Sequence, residues 1–146
     1  MKYLLDICVL SEIIKLSPNI YVDEWLASVD EDQLLISTFT IGEIRKGIDK
    51  LDAGKRRQKL NKWFQDIMDW ESSRILSFDK ISARNWGMLV AKLEMKGRPM
   101  PVIDSMIAAI AITHECVLVT RNINDFIELD IPVFNPWEHT KRNGST

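Results

Sequence analysis

The chain predicts an α/β fold, with a central, mainly parallel sheet of about five strands covered by helices on both faces. Short apolar runs of strand length recur at residues 2–5, 34–37, 75–78, 116–120 and 132–134. The segments between them repeat apolar residues at i, i+3, i+4 and i+7, the spacing of a helix burying one face. No composition shift or internal repeat divides the 146 residues, a length that suits one domain with a sizeable core. Residues 1–139 are accordingly expected to form that domain, and 140–146 a flexible C-terminal tail.

Residues 2–5 read as the first strand. Ser11, followed by Glu12, Ile13, Ile14 and Leu16, has the pattern of a capped helix start, broken at Pro18 and Asn19. Val22, Trp25, Leu26 and Val29 mark the next helix. After the strand at 34–37, Thr38 or Thr40 is the expected N-cap of a helix whose stripe is Ile41, Ile44, Ile48 and Leu51. Glu43 lies off that stripe and is free to point into a crevice while the isoleucines hold the helix down. A turn at Asp52-Ala53-Gly54 leads to Leu60, Trp63, Phe64 and Ile67, which completes a helical hairpin. Asp79 should cap the helix that buries Trp86, Leu89, Val90 and Leu93. Gly97, Pro99 and Pro101 form a rigid loop before a helix over 102–114, on which Ile103, Ile107, Ile110 and His114 share a face.

Composition excludes several classes. Hydrophobic residues make up 46% and charged residues 27%, as in a soluble globular protein and unlike a disordered or fibrous one. No apolar run reaches membrane-spanning length, and the run at 4–10 is interrupted by Asp6 and lacks a signal-peptide cleavage pattern, so a cytoplasmic protein is expected. Cys8 and Cys116 have neither metal-ligand spacing nor a framework of pairs, which suits two reduced thiols. A net charge of −2 argues against coating nucleic acid by bulk electrostatics. The basic run Lys46, Lys50, Lys55, Arg56, Arg57, Lys59 and Lys62 reads first as a solvated helical face.

The acids are more informative. Asp6 follows the first strand, Glu43 the second, Asp104 opens the helix after the proline loop, and Asp125 follows the strand at 116–120. A single acid at such a position is ordinarily a cap or a solvated charge, as read for Glu12, Asp30 and Asp79. Four that gather where an open sheet binds ligands would repel one another and raise each other's pKa unless a cation lies among them. Oxygen-only donors select Mg²⁺ or Mn²⁺ over zinc, and His114 and His139 do not join the set. A hard divalent ion acting on a phosphoryl oxygen and on water makes phosphodiester hydrolysis the expected reaction class.

Four stretches carry a resemblance. They are residues 4–12 (Leu-Leu-Asp-Ile-Cys-Val-Leu-Ser-Glu), 37–47 (Ser-Thr-Phe-Thr-Ile-Gly-Glu-Ile-Arg-Lys-Gly), 103–109 (Ile-Asp-Ser-Met-Ile-Ala-Ala) and 119–126 (Val-Thr-Arg-Asn-Ile-Asn-Asp-Phe). With the closing 131–137 (Ile-Pro-Val-Phe-Asn-Pro-Trp), the chain resembles PIN-domain proteins of the VapC toxin type over nearly its whole length. The resemblance implies a three-layer α/β/α fold and a Mg²⁺-dependent endoribonuclease toxin, neutralised by a cognate antitoxin and expected to be a homodimer. It implies Asp6, Asp104 and Asp125 as metal ligands, with Glu43 completing the catalytic acids. The family places its last acid at the position of Asn122 or of Asp125; only Asp125 is acidic here, which leaves Asn122 as a water or substrate contact. Position 7 is Ile where the family often has a hydroxyl. Arg45, Lys46, Arg98 and Arg121 neighbour the acidic motifs and are candidates for holding RNA phosphates, with Arg45, Arg121 and Asn122 foremost. Trp25, Trp63, Phe64, Trp70 and Trp86 are expected to pack in the core, some of them lining a groove for an antitoxin segment.

Two rival readings differ in class. A response-regulator receiver also places acids at strand ends, but it resembles a pattern with paired acids after the first strand and a lysine after the last, both missing here. A PIN-like module that binds RNA or protein without cutting would not need all four acids.

Overall fold

A computed structural model describes residues 1–138; His139 and the expected tail at 140–146 lie outside the described residues. The strands are β1 (Tyr3–Leu5), β2 (Leu34–Ser37), β3 (Ile75–Leu76), β4 (Val117–Val119) and β5 (Val133–Phe134). They form one sheet in the order β3-β2-β1-β4-β5, and every pairing is parallel. β1 therefore lies in the middle, with Leu4 opposite Leu35 on one side and Leu118 on the other. Helices α1 (Ile7–Ile13), α2 (Ile20–Ser28), α3 (Thr38–Asp49), α4 (Lys55–Met68), α5 (Lys80–Met95) and α6 (Val102–Thr113), with short 3-10 turns, connect and follow them among the described residues.

Alternation along each strand sends successive side chains to opposite faces. Leu5, Leu34, Ile36 and Val119 face α1 to α4, where Val9, Val22, Trp25, Ile44, Ile48, Phe64 and Ile67 are buried. Leu4, Leu35 and Leu118 face α5 and α6 and meet Leu93, Ile107, Ala108, Ile110 and Ala111. Two apolar layers thus clamp one sheet, and each fully buried Leu or Ile contributes about 1.5–3 kcal/mol.

Helix ends differ from expectation in ways that matter for the site. Asp6, not Ser11, caps the first helix, because the chain turns into α1 as soon as β1 ends; Ser11 lies within the helix and is exposed. Ser37, rather than Thr38 or Thr40, caps α3, its fully buried Oγ accepting from the Thr40 N–H at 3.2 Å. Asp79 caps α5 as expected, accepting from the Ser82 N–H at 2.8 Å. The C-terminus of α5 closes in a Schellman motif: Gly97 adopts φ 69°, its N–H donates to Glu94, and the Arg98 N–H donates to Leu93. That turn feeds the loop that delivers α6. Ile103 is 42% exposed, since the first turn of α6 projects beyond the sheet, and the buried face is carried by Ser105, Ile107 and the alanines.

Candidate active site

The winding of the chain reverses between β1 and β4, so the C-terminal ends of these two strands open a crevice at a topological switch point. Asp6 is fixed there. Its backbone N–H donates to Val119 O at 2.9 Å, and its Oδ1 accepts from the Ile7 N–H at 2.9 Å. Its Oδ2 accepts from the Thr120 hydroxyl at 2.8 Å and from the Cys8 thiol at 3.5 Å. The residue is buried, with its carboxylate held in one orientation by neighbours from both ends of the chain.

Glu43 enters from α3 and Asp104 from the first turn of α6, both half-buried. Asp125 stands exposed in the 3-10 turn Ile123–Phe126 that follows β4. Burial raises the Glu43 carboxyl above its ordinary pKa, and the negative charges of Asp6 and Asp104 raise it further, against a smaller opposing pull from Lys46. Asp104 is raised in the same way, by burial first and then by Asp6 and Asp125. The four acids therefore share one electrostatic neighbourhood, in the order Glu43, Asp6, Asp104, Asp125. Glu43 Oε1 is buried and has no hydrogen-bond partner among the described residues.

This set fits a hard cation by donor type, by uncompensated negative charge and by the unpartnered Glu43 oxygen. It is not a closed cage: among the described residues, no three His, Cys, Asp or Glu side chains already stand in a ligand cluster. His114 is apart from the acids; its ring lies 3.9 Å from Asp79.

Two participants, and the burial of Glu12, were not anticipated from sequence. Thr120 is fully buried; besides donating to Asp6, its Oγ1 accepts from the Asn122 N–H at 3.1 Å. This hydroxyl, one residue past β4, gives Asp6 the support that the Ile7 side chain lacks. A polar residue closing the most apolar strand was the available signal. Cys8 is not merely a core thiol, since its sulfur also accepts from the Arg121 N–H at 3.5 Å. Glu12, expected to be solvated or a cap, is buried, with Lys15 Nζ and the Asn19 N–H each 2.8 Å from its carboxylate.

The cations divide. Arg45 sits two residues from Glu43, roughly 200° around the helix, and its guanidinium bonds Asp49 and Asn61 at 2.7 Å while lying over Phe64. It ties α3 to α4. Arg98 pairs with Glu128 at 3.4 Å. Arg121 stacks on Trp137, 5.1 Å from the ring centroid, and with Asn122 lines a cavity that reaches Asp125. Trp25 and Phe64 are buried in the core, whereas Trp86 is half-buried with its Nε1–H on Ser105.

The PIN domain family model matches residues 3–132. The chain belongs to the PIN-domain family. Toxin FitB of Neisseria gonorrhoeae is similar to this PIN domain, at 33% identity over 135 residues that cover 92% of this chain and 97% of FitB. VapC ribonuclease Y4jK of Sinorhizobium fredii is 31% identical over 135 residues, 92% of this chain and 96% of its own. The crystal structure of FitAcB from Neisseria gonorrhoeae matches the PIN fold described here with a TM-score of 0.86 at 33% identity, covering 92% of this chain and 98% of that one.

Proposed function

We propose that this PIN-domain protein is a metal-dependent endoribonuclease that hydrolyses RNA phosphodiester bonds, with residues 1–139 acting as one nuclease domain. We infer that it is the toxin of a toxin-antitoxin module, restrained by a cognate antitoxin and assembling as a homodimer. The carrying observation is the set of four carboxylates at the β1/β4 switch point, two of them with raised pKa and one with a buried, unpartnered oxygen. Similarity to proteins named as a toxin and as a VapC ribonuclease supports the biological reading. No described helix is long and apolar enough to cross a membrane; action on RNA in the cytoplasm is part of the proposal.

Asp6, Asp104 and Asp125 would hold the ion, Mg²⁺ or Mn²⁺ by their oxygen chemistry. When bound, it supplies Lewis acidity toward a phosphoryl oxygen and water, and offsets the mutual repulsion of the acids. Glu43 orients water and accepts its proton; a carboxyl raised by burial is a better base than an ordinary glutamate. Thr120 and the Ile7 N–H keep Asp6 in one rotamer. Arg121 and Asn122 contact the RNA beside Asp125. An accessible phosphodiester is required, so a loop or single strand is the substrate rather than a regular duplex.

The decisive test is cleavage of total RNA by wild type, Asp6→Asn and Asp104→Asn in Mg²⁺. Loss of cutting of at least about 100-fold in folded variants is expected, given what aligned ionised groups contribute to catalysis. Wild-type cutting by either variant would overturn the site assignment. Absence of cutting by wild type in Mg²⁺ and Mn²⁺ would favour a module that binds without hydrolysis.

A further inference from the structure

Beside the acids lies a polar cavity of about 480 Å³ lined by Arg121, Asn122, Asn124, Asp125, Asn135 and Glu138, together with Ile123. Its size is within the range of small-molecule sites. Asp125 belongs to both the cavity wall and the acidic cluster, so an occupant would sit next to the scissile phosphate. We propose that this cavity is a base-recognition subsite for a flanking nucleotide of single-stranded RNA, and that it selects guanine. The inference rests on the nuclease reading above and adds its sequence preference.

The lining has the chemistry for that choice. Guanine offers acceptors at O6 and N7 and donors at N1–H and the 2-amino group, so it needs donors on one side of a pocket and a carboxylate on the other. Arg121 carries only donors. Asn135 Oδ1 already accepts the Trp137 N–H at 2.9 Å, which leaves its NH₂ group as the part offered to a ligand. Glu138 is an exposed acceptor on the same wall, suited to the N1–H and 2-amino donors. The side chains of Asn122 and Asn124 make no hydrogen bond to the described residues and can complete the edge. Arg121 also lies over the Trp137 ring, 5.1 Å from its centroid, a cation–π contact that steadies the donor. Adenine would set its amino group against these donors, and uracil and cytosine are smaller.

Cleavage of a randomised single-stranded RNA pool, mapped by sequencing, tests the subsite. Wild type is expected to prefer guanine at one position adjacent to the cut, and Glu138→Gln or Asn124→Ala to reduce that preference about 10-fold, as expected for one lost base contact. Glu71→Gln, at the opposite end of the sheet, should leave the preference unchanged. Cutting by wild type with no base preference beside the cut, or an unaltered preference in both variants, overturns the subsite and leaves the nuclease reading intact. Should wild type not cut, the nuclease reading fails and binding decides separately. Protein labelled with ¹⁵N-asparagine and carrying Asp104→Asn is titrated with the four homotrinucleotides. Side-chain amide signals of Asn124 and Asn135 that move most with GGG support the pocket. Signals that ignore RNA, or move only with the cognate antitoxin, overturn it.

Discussion

Asp104 illustrates how a residue proposed to hold a metal opposes stability. Burial and two neighbouring carboxylates raise its pKa, so without metal the folded protein holds this proton more tightly than the unfolded chain does. Stability from this group is then lost as pH rises from the ordinary Asp value of about 3.9 through the raised folded value. Asp104→Asn removes the burden, and metal-free thermal melts should place the variant above wild type at pH 7.5, with the gap closing toward pH 4. A pH-independent gap would refute this origin. Thr120 has the opposite character. Thr120→Val keeps the shape but takes one donor from Asp6 and the acceptor from the Asn122 N–H, which should cost about 1–3 kcal/mol in denaturant melts and slow cleavage, while Thr120→Ser retains both. The acids were legible because each closes or follows an apolar run. The roles of Thr120 and Cys8 were not, because they depend on a pairing between residues 114 and 112 positions apart in the chain.

At the level of elements, α3 shows how one helix separates structure from chemistry. Ile44 and Ile48 bury its inner face, Glu43 points to the crevice, and Arg45 binds the neighbouring α4. Arg45→Ala should therefore lower stability by about 1 kcal/mol, through a lost ion pair and a lost contact with Phe64, and leave the rate of RNA cleavage unchanged. A large loss of activity in a fully folded variant would instead establish Arg45 as an RNA contact. Apolar spacing made the helices readable, since 3.6-residue periodicity is a local property. Their first residues were harder to read. Both caps that mattered, Asp6 and Ser37, are the residues at which a strand passes directly into a helix, and no loop residues announce the change.

For the molecule as a whole, the crevice concentrates negative charge that folding alone does not neutralise. Mg²⁺ or Mn²⁺ should stabilise the fold in a concentration-dependent way, by about 2.7 kcal/mol at 100 times the dissociation constant, read as a rise in melting temperature, and Asp6→Asn or Asp104→Asn should abolish the shift. An unchanged shift in these variants would place the ion elsewhere. The alternation of runs revealed a layered α/β fold, but the strand order, with β1 at the centre, is set by which edges meet and not by any one run. That order has a consequence for synthesis. β1 is made before the other strands, yet the seam that fixes Asp6 needs β4 at Val117–Val119. A nascent polypeptide stalled before residue 117, or made from a message truncated there, cannot assemble the crevice, so any chemistry the four acids carry out waits until β4 has been made.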